Sequence, residues 1–191
     1  MTTYLLHGGG TSKDLPGNGR FFAQFTELVN RNEVKILLCY WSRNRDEWPK
    51  LTDRDTTKIK NNAIKQILFH VVEDLADLFS KIDDYDVLYV AGGDAEQLEP
   101  YYKDLSQLKE KLSGKVYAGS SMGTFLASES YVLSFDSQDS DNKHQGVGLL
   151  PIQTLCHWDV EVKKEMKLNL LDSDKPIIVL NEGQFITIYG N

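Results

Sequence analysis

The amino-acid sequence predicts an α/β protein, a three-layer, doubly wound and mostly parallel sheet, and three observations carry that prediction. Short apolar runs alternate with amphipathic or polar stretches over residues 3–127, the pattern of successive strand–helix units. Runs such as 34–41 and 86–91 are apolar nearly throughout, as expected of strands covered on both faces. Three runs end in small-residue turns, at Gly8-Gly9-Gly10, Gly92-Gly93 and Gly119-Ser120-Ser121-Met122-Gly123. In such a sheet the carboxyl ends of the strands are where sites form.

Taken in order, residues 3–6 form the first strand and run into a glycine-rich loop through Gly19. Phe21, Phe22, Phe25, Leu28 and Val29 at helical spacing mark the first helix over 20–30, and 34–41 is the second strand. The polar stretch 42–62 holds a second helix anchored by Trp48 and Leu51. The latter part of 63–72 reads as a strand, because 73–82 already supplies an amphipathic helix through Leu75, Leu78, Phe79 and Ile82. Residues 86–91 form the next buried strand, 95–112 a helix and 115–118 the strand before the Gly119 turn. Beyond Ser130 short strands are expected at 131–135, 146–150 and 153–156, a last long helix at 160–171, and a hairpin-like ending from 177–180 and 185–189.

The 191 residues are read as one domain, 1–191, long enough for a core without disulfides or metals. A net charge of −7 argues against nucleic acid or an anionic membrane as partner, since both require a basic face. No apolar run approaches the roughly 20 residues of a membrane helix, and the first residues lack the basic start of a signal peptide. A cytoplasmic protein is expected. Cys39 and Cys156 lie far apart in apolar stretches and are expected as free buried thiols. The four histidines and two cysteines show no usable metal-ligand spacing, so neither a metal nor another cofactor is expected.

The chemistry is expected to begin at the G-x-S-x-G turn. A serine hydroxyl is a poor nucleophile, so it must stand clear of the sheet beside a base, with backbone amides facing the developing oxyanion. Strand, turn and small-residue helix around Ser121 provide that context. Ser120 is the rival, but only Ser121 has glycine two positions away on both sides. The amide of Met122 is the natural oxyanion donor. Gly93 offers a second amide, or is an ordinary turn glycine.

His157 is the best base, at the end of a buried run after the elbow, whereas His144 lies in a polar loop, His70 reads as a sheet histidine, and His7 either lines the site or is structural. Asp136, at the end of an apolar run, is chosen as the orienting carboxylate ahead of Glu129. Asp139 and Asp141 belong to a charge-rich loop facing solvent.

The motifs together resemble the dipeptidase E (alpha-aspartyl dipeptidase) and cyanophycinase family of serine peptidases over nearly the whole chain. Gly92-Gly93-Asp94-Ala95-Glu96-Gln97-Leu98 resembles that family's G-G-N-x-x-x-L segment, and Gly119 to Gly123 its elbow. The segment from Gly146 through Pro151 and Gln153 to His157 resembles G-L-G-L-x-P-x-Q-x-x-x-H, and Leu180-Asn181-Glu182-Gly183 its late L-x-E-G turn. The resemblance implies a class I glutamine amidotransferase-like (flavodoxin-like) fold and a Ser121–His157–Asp136 triad. It also implies an oxyanion hole from Gly93 and Met122, and hydrolysis of short peptides. Gly9, Gly10 and Glu182 are carried as candidate substrate-binding residues, as are Lys163 and Lys164, which with Lys167 are the basic residues available after the histidine. A homodimer is expected by analogy.

Three departures from the family accompany the match: Met122 where alanine is usual, Cys156 in place of a proline, and an end at Asn191 that leads us to expect a missing terminal hairpin. Two other functions compete. A catalytically silent ligand-binding or sensor protein would keep the architecture without the reaction. An α/β-hydrolase esterase is suggested by His7-Gly8-Gly9-Gly10, although such an oxyanion loop should follow several strands rather than one.

Overall fold

A computed structural model describes residues 1–137 and 139–190. The first half alternates as the apolar runs predict: β1 (Thr2–His7), α1 (Pro16–Glu27), β2 (Glu33–Cys39), α2 (Trp48–Asn62), β3 (Gln66–Val71), α3 (Leu75–Lys81) and β4 (Val87–Val90). Then follow α4 (Ala95–Leu98), α5 (Leu108–Lys111), β5 (Val116–Ser120) and α6 (Met122–Ala127). The second half comprises β6 (Ser130–Val132), β7 (Lys143–Gln145), β8 (Gln153–Leu155), α7 (Lys164–Asn169), β9 (Ile177–Val179) and β10 (Phe185–Gly190).

The strands form a six-stranded sheet in the order β10-β1-β5-β4-β2-β3 and a four-stranded sheet in the order β7-β6-β8-β9. In the large sheet β1, β5, β4, β2 and β3 are parallel, and β10 closes one edge antiparallel to β1. The chain steps from β1 to β2 to β3 in one direction and returns through β4 to β5. Right-handed crossovers therefore place α1 and α2 on one face and α3 to α5 on the other. This gives the predicted three layers. β4 and β5 are buried along their whole length, which is why they carry no polar alternation.

Local chemistry starts and stops the elements. α1 begins at Pro16, whose fixed φ suits a first helical turn. It buries Phe21, Phe22 and Phe25, and their rings surround Tyr89 of β4 at centroid distances of 5.3–6.3 Å. The smaller sheet joins the same core through Tyr131, which stacks on Phe125 of α6 at 4.6 Å.

Four expectations are corrected. The helix expected over 95–112 is broken into α4, a 3-10 turn holding Pro100, and α5, because proline has no amide to continue the helix. The helix expected over 160–171 shrinks to α7, since Val160 and Val162 face solvent and leave no apolar stripe at its start. Residues 146–150 are loop rather than strand, with Gly148 at a φ of 74°. β9 and β10 are not a hairpin: β9 pairs with β8 in the small sheet and β10 with β1 in the large one. The turn between them thus crosses from one sheet to the other. No helix among the described residues is long and apolar enough to cross a membrane, and both cysteines are free and buried.

Candidate active site

Parallel strands bring their carboxyl ends to one edge, and a cleft of about 580 Å³ opens there. Its walls come from the loops after β1, β2, β4 and β5, from α2, and from residues 133–137.

β5 ends at Ser120 and α6 starts at Met122, so Ser121 alone must turn the chain. It does so at φ 52° and ψ −107°, a backbone pose that costs energy for any residue with a side chain and is held only by its surroundings. Close approach explains both flanking glycines. A Cβ on Gly119 would stand 2.4 Å from the Gly123 carbonyl oxygen, and one on Gly123 would stand 2.1 Å from that of Val90. The turn presents Ser121 Oγ to the cleft, where it lies 2.9 Å from His157 Nε2. Ser120 is buried instead, its hydroxyl 3.4 Å from His7 Nδ1.

His157 follows β8 and itself has a positive φ of 54°. Its amide donates to the Gly8 carbonyl at 2.9 Å, which fixes the backbone against the β1 loop. The imidazole fills the space over Gly9: a Cβ there would lie 2.2 Å from Cε1, and Gly9 sits at φ 104°. That loop is itself organised by His7 and Asn18. His7 Nδ1 accepts from the Gly9 amide at 3.1 Å and its Nε2 donates to Asn18 Oδ1 at 2.9 Å. Asn18 in turn donates to the carbonyls of Gly10 and Lys13. Burial pushes the His7 imidazole down to about 4 against the Asn18 hydrogen bond, so the ring is neutral and structural. The His-Gly-Gly-Gly loop therefore supports the imidazole of His157 rather than lining an oxyanion.

The carboxylate on His157 is Glu182, not Asp136. His157 Nδ1 lies 2.9 Å from Glu182 Oε1, and Glu182 Oε2 accepts from Lys13 Nζ. The turn that crosses between sheets delivers it: Gly183 N donates to Gly9 O at 3.0 Å, Gly8 N to Gln184 O at 2.9 Å, and Glu182 N to Asp159 Oδ1 at 2.8 Å. Burial pushes the Glu182 carboxyl up, but hydrogen bonds from Lys13 and His157 outweigh it and hold the group below its ordinary value. Glu182 is ionised at neutral pH. β6 ends at Val132 and the chain then leaves the sheet, so Asp136 stays exposed at the cleft rim, accepting from Ser134 Oγ at 2.8 Å.

Gly93 and Met122 both line the cleft beside Ser121. Met122 opens α6, so its amide has no acceptor within the helix, and its side chain is only 1% exposed. The residue that replaces alanine is tucked into the core. A Cβ on Gly93 would stand 2.0 Å from the Ser42 carbonyl. Gly9 and Gly10 line the cleft as well.

The lysines do not reach it. Lys163 pairs with Asp141 at 2.8 Å, and Lys164 lies over the Trp158 ring at 5.3 Å. Lys167 is buried: its Nζ donates to the carbonyls of Leu133 and Ser140 and stands 3.5 Å from Glu161 Oε2, which accepts from Phe135 N. This buried pair pins Leu133, Phe135 and Ser140, next to the cleft edge that Leu133, Ser134, Asp136 and Ser137 form. Lys167→Met leaves Glu161 without its counter-charge and is expected to cost about 3–5 kcal/mol in urea unfolding, with a rise in KM for substrate larger than the change in kcat. Unchanged stability and KM would contradict this role. Among the described residues no group of three or more His, Cys, Asp and Glu is placed to hold a metal ion. Burial pushes the Cys39 thiol up to about 12 and raises that of Cys156, so neither is a competing nucleophile.

A model of peptidase family S51 matches residues 4–191 of the chain. Among solved structures, a peptidase from an acI-B1 Actinobacterium is similar with a TM-score of 0.71 and 16% identity, over 98% of this chain and 83% of that one. A candidate peptidase E protein from Listeria monocytogenes EGD-e is similar with a TM-score of 0.62 and 16% identity, over all of both chains. At these identities the likeness establishes the fold, a mostly parallel α/β arrangement in keeping with the flavodoxin-like, class I glutamine amidotransferase-like architecture. No curated protein matches the chain.

Proposed function

Since the chain belongs to peptidase family S51 and is thereby a peptidase, we propose that it is of the serine type and hydrolyses dipeptides or other short peptides through an acyl-enzyme. One observation carries this reading: Ser121 Oγ, His157 and Glu182 form a continuous relay with 2.9 Å at each link. His157 Nε2 takes the Ser121 proton as Oγ attacks the scissile carbonyl carbon. The amides of Gly93 and Met122 receive the oxyanion, and His157 then passes its proton to the departing amine. Water repeats the sequence on the ester and frees Ser121. Glu182 keeps the proton on Nδ1 throughout and offsets the charge of the imidazolium. The free buried thiols accord with a reducing compartment, and the proposal places the enzyme in the cytoplasm.

A panel of unblocked di- and tripeptides tests the substrate class. Release of amino acids from a subset of the panel is expected, at kcat/KM of about 10⁴ M⁻¹s⁻¹ or more for the best members. A folded protein that cleaves none of them would refute it.

A further inference from the structure

The cleft carries a charge pattern that the reaction itself does not require. Two arginines line it, Arg43 after β2 and Arg54 on α2, and both are half-buried. Each is gripped through one nitrogen. Arg43 Nε donates to the Gly92 carbonyl at 2.7 Å, and Arg54 Nε donates at 2.7 Å to Oδ1 of Asp55, which is fully buried. Arg43 Nη1 approaches Glu47 at no less than 4.0 Å, and among the described residues the terminal nitrogens of both arginines donate no hydrogen bond within the protein. A guanidinium held by Nε keeps a pair of parallel donors for a planar anion such as a carboxylate. Arg43 is also close to the chemistry: a Cβ on Gly92, whose carbonyl it holds, would lie 2.9 Å from Ser121 Cβ. Asp94 and Glu96 also line the cleft and are exposed, and Asp94 follows Gly93 on the Arg43 side, its amide donating to the Ser42 carbonyl at 2.8 Å.

Half-buried guanidinium groups and exposed carboxylates in one cleft are together complementary to a zwitterion. Resting on the serine-peptidase reading above, we propose that Arg43 and Arg54 bind the free C-terminal carboxylate of a peptide of two or three residues, with Asp94 and Glu96 toward its ammonium end. The cleft thereby selects short unblocked peptides over internal bonds of long chains. An acidic side chain offers the same carboxylate chemistry, but it would leave the opposite charge at the rim without a partner.

The test compares, on the wild-type protein, a cleaved peptide with its C-terminal carboxamide and with a carboxamide bearing aspartate on the acyl side. The acid is expected to exceed both amides by roughly 100-fold in kcat/KM. In Arg54→Gln that preference falls to a few-fold, and Arg54→Lys restores part of it. Equal rates for acid and plain amide would overturn the inference, as would an aspartyl amide cleaved as fast as the acid. Fluorophosphonate labelling of the wild type separates the two levels: a labelled Ser121 without acid preference removes only the carboxylate site, whereas no labelling removes the serine reading beneath it. Because Arg54→Gln strands the buried Asp55, the wild-type comparison decides the matter if that variant does not fold.

Discussion

Ser121→Ala is expected to lower kcat/KM toward short peptides by about 10⁴- to 10⁶-fold, since the members of a nucleophile–base pair act as a unit and removing one removes the covalent route. The protein should remain folded. Ser121 Oγ contacts the rest of the chain through His157, whereas the fold around it rests on the close approach of Gly119 and Gly123 to neighbouring carbonyls. Peptide hydrolysis read beside an unchanged far-UV spectrum checks both halves of this expectation. A variant retaining a tenth of the activity would move the nucleophile elsewhere.

Glu182→Gln is expected to cost about 10³- to 10⁴-fold in kcat, and the reason lies in the second oxygen of the carboxylate. Lys13 Nζ donates to Oε2 and can only donate, so the amide of glutamine must turn its carbonyl toward Lys13 and its NH₂ toward His157 Nδ1. An imidazole facing a donor there gives up its Nδ1 proton and carries it on Nε2. In that tautomer it cannot accept the proton of Ser121. Asp136→Asn, at the exposed rim, is expected to keep kcat within about two-fold, as exposed substitutions do. Kinetics of the two variants side by side discriminate between the carboxylates, and the reverse order would restore Asp136 to the triad. Acid should act on the same group. The folded-state pKa of Glu182 lies below its ordinary value, so its contribution is complete above the ordinary carboxylate range and is lost only as pH falls through that depressed value.

Much of this arrangement was legible in the sequence, and what was not has a physical cause. β2, β4 and β5 announced themselves because strands buried on both faces leave no polar alternation. The elbow did so because a strand-to-helix turn as tight as the one at the end of β5 requires glycine where Gly119 and Gly123 stand. His157 was reachable as a histidine ending a buried run. Glu182 was placed only as a substrate contact, because its role is set by long-range geometry. The turn holding it joins two different sheets, yet the apolar runs on either side of it read as a local hairpin. The resemblance of 180–183 to a late L-x-E-G turn was the signal available, and the positive φ of Gly9 that makes room for the imidazole appears only in three dimensions.

Arg43 and Arg54 stayed hidden for a similar reason. In the polar stretch 42–62 they look like solvated surface, and only the Gly92 carbonyl and the buried Asp55 turn them toward the cleft. The lysines over 163–167 made the opposite impression. They were candidates only through the resemblance, as the basic residues after the histidine, but Asp141, Trp158 and Glu161 occupy them.

The central claim is that the hydroxyl at the strained elbow is the group that attacks. Its most direct test is to react the protein with a fluorophosphonate, digest it and locate the added mass. We expect a single adduct on Ser121, formed in the wild type and lost in His157→Ala. An adduct on Ser120 or another residue, or none on a folded protein, would contradict it.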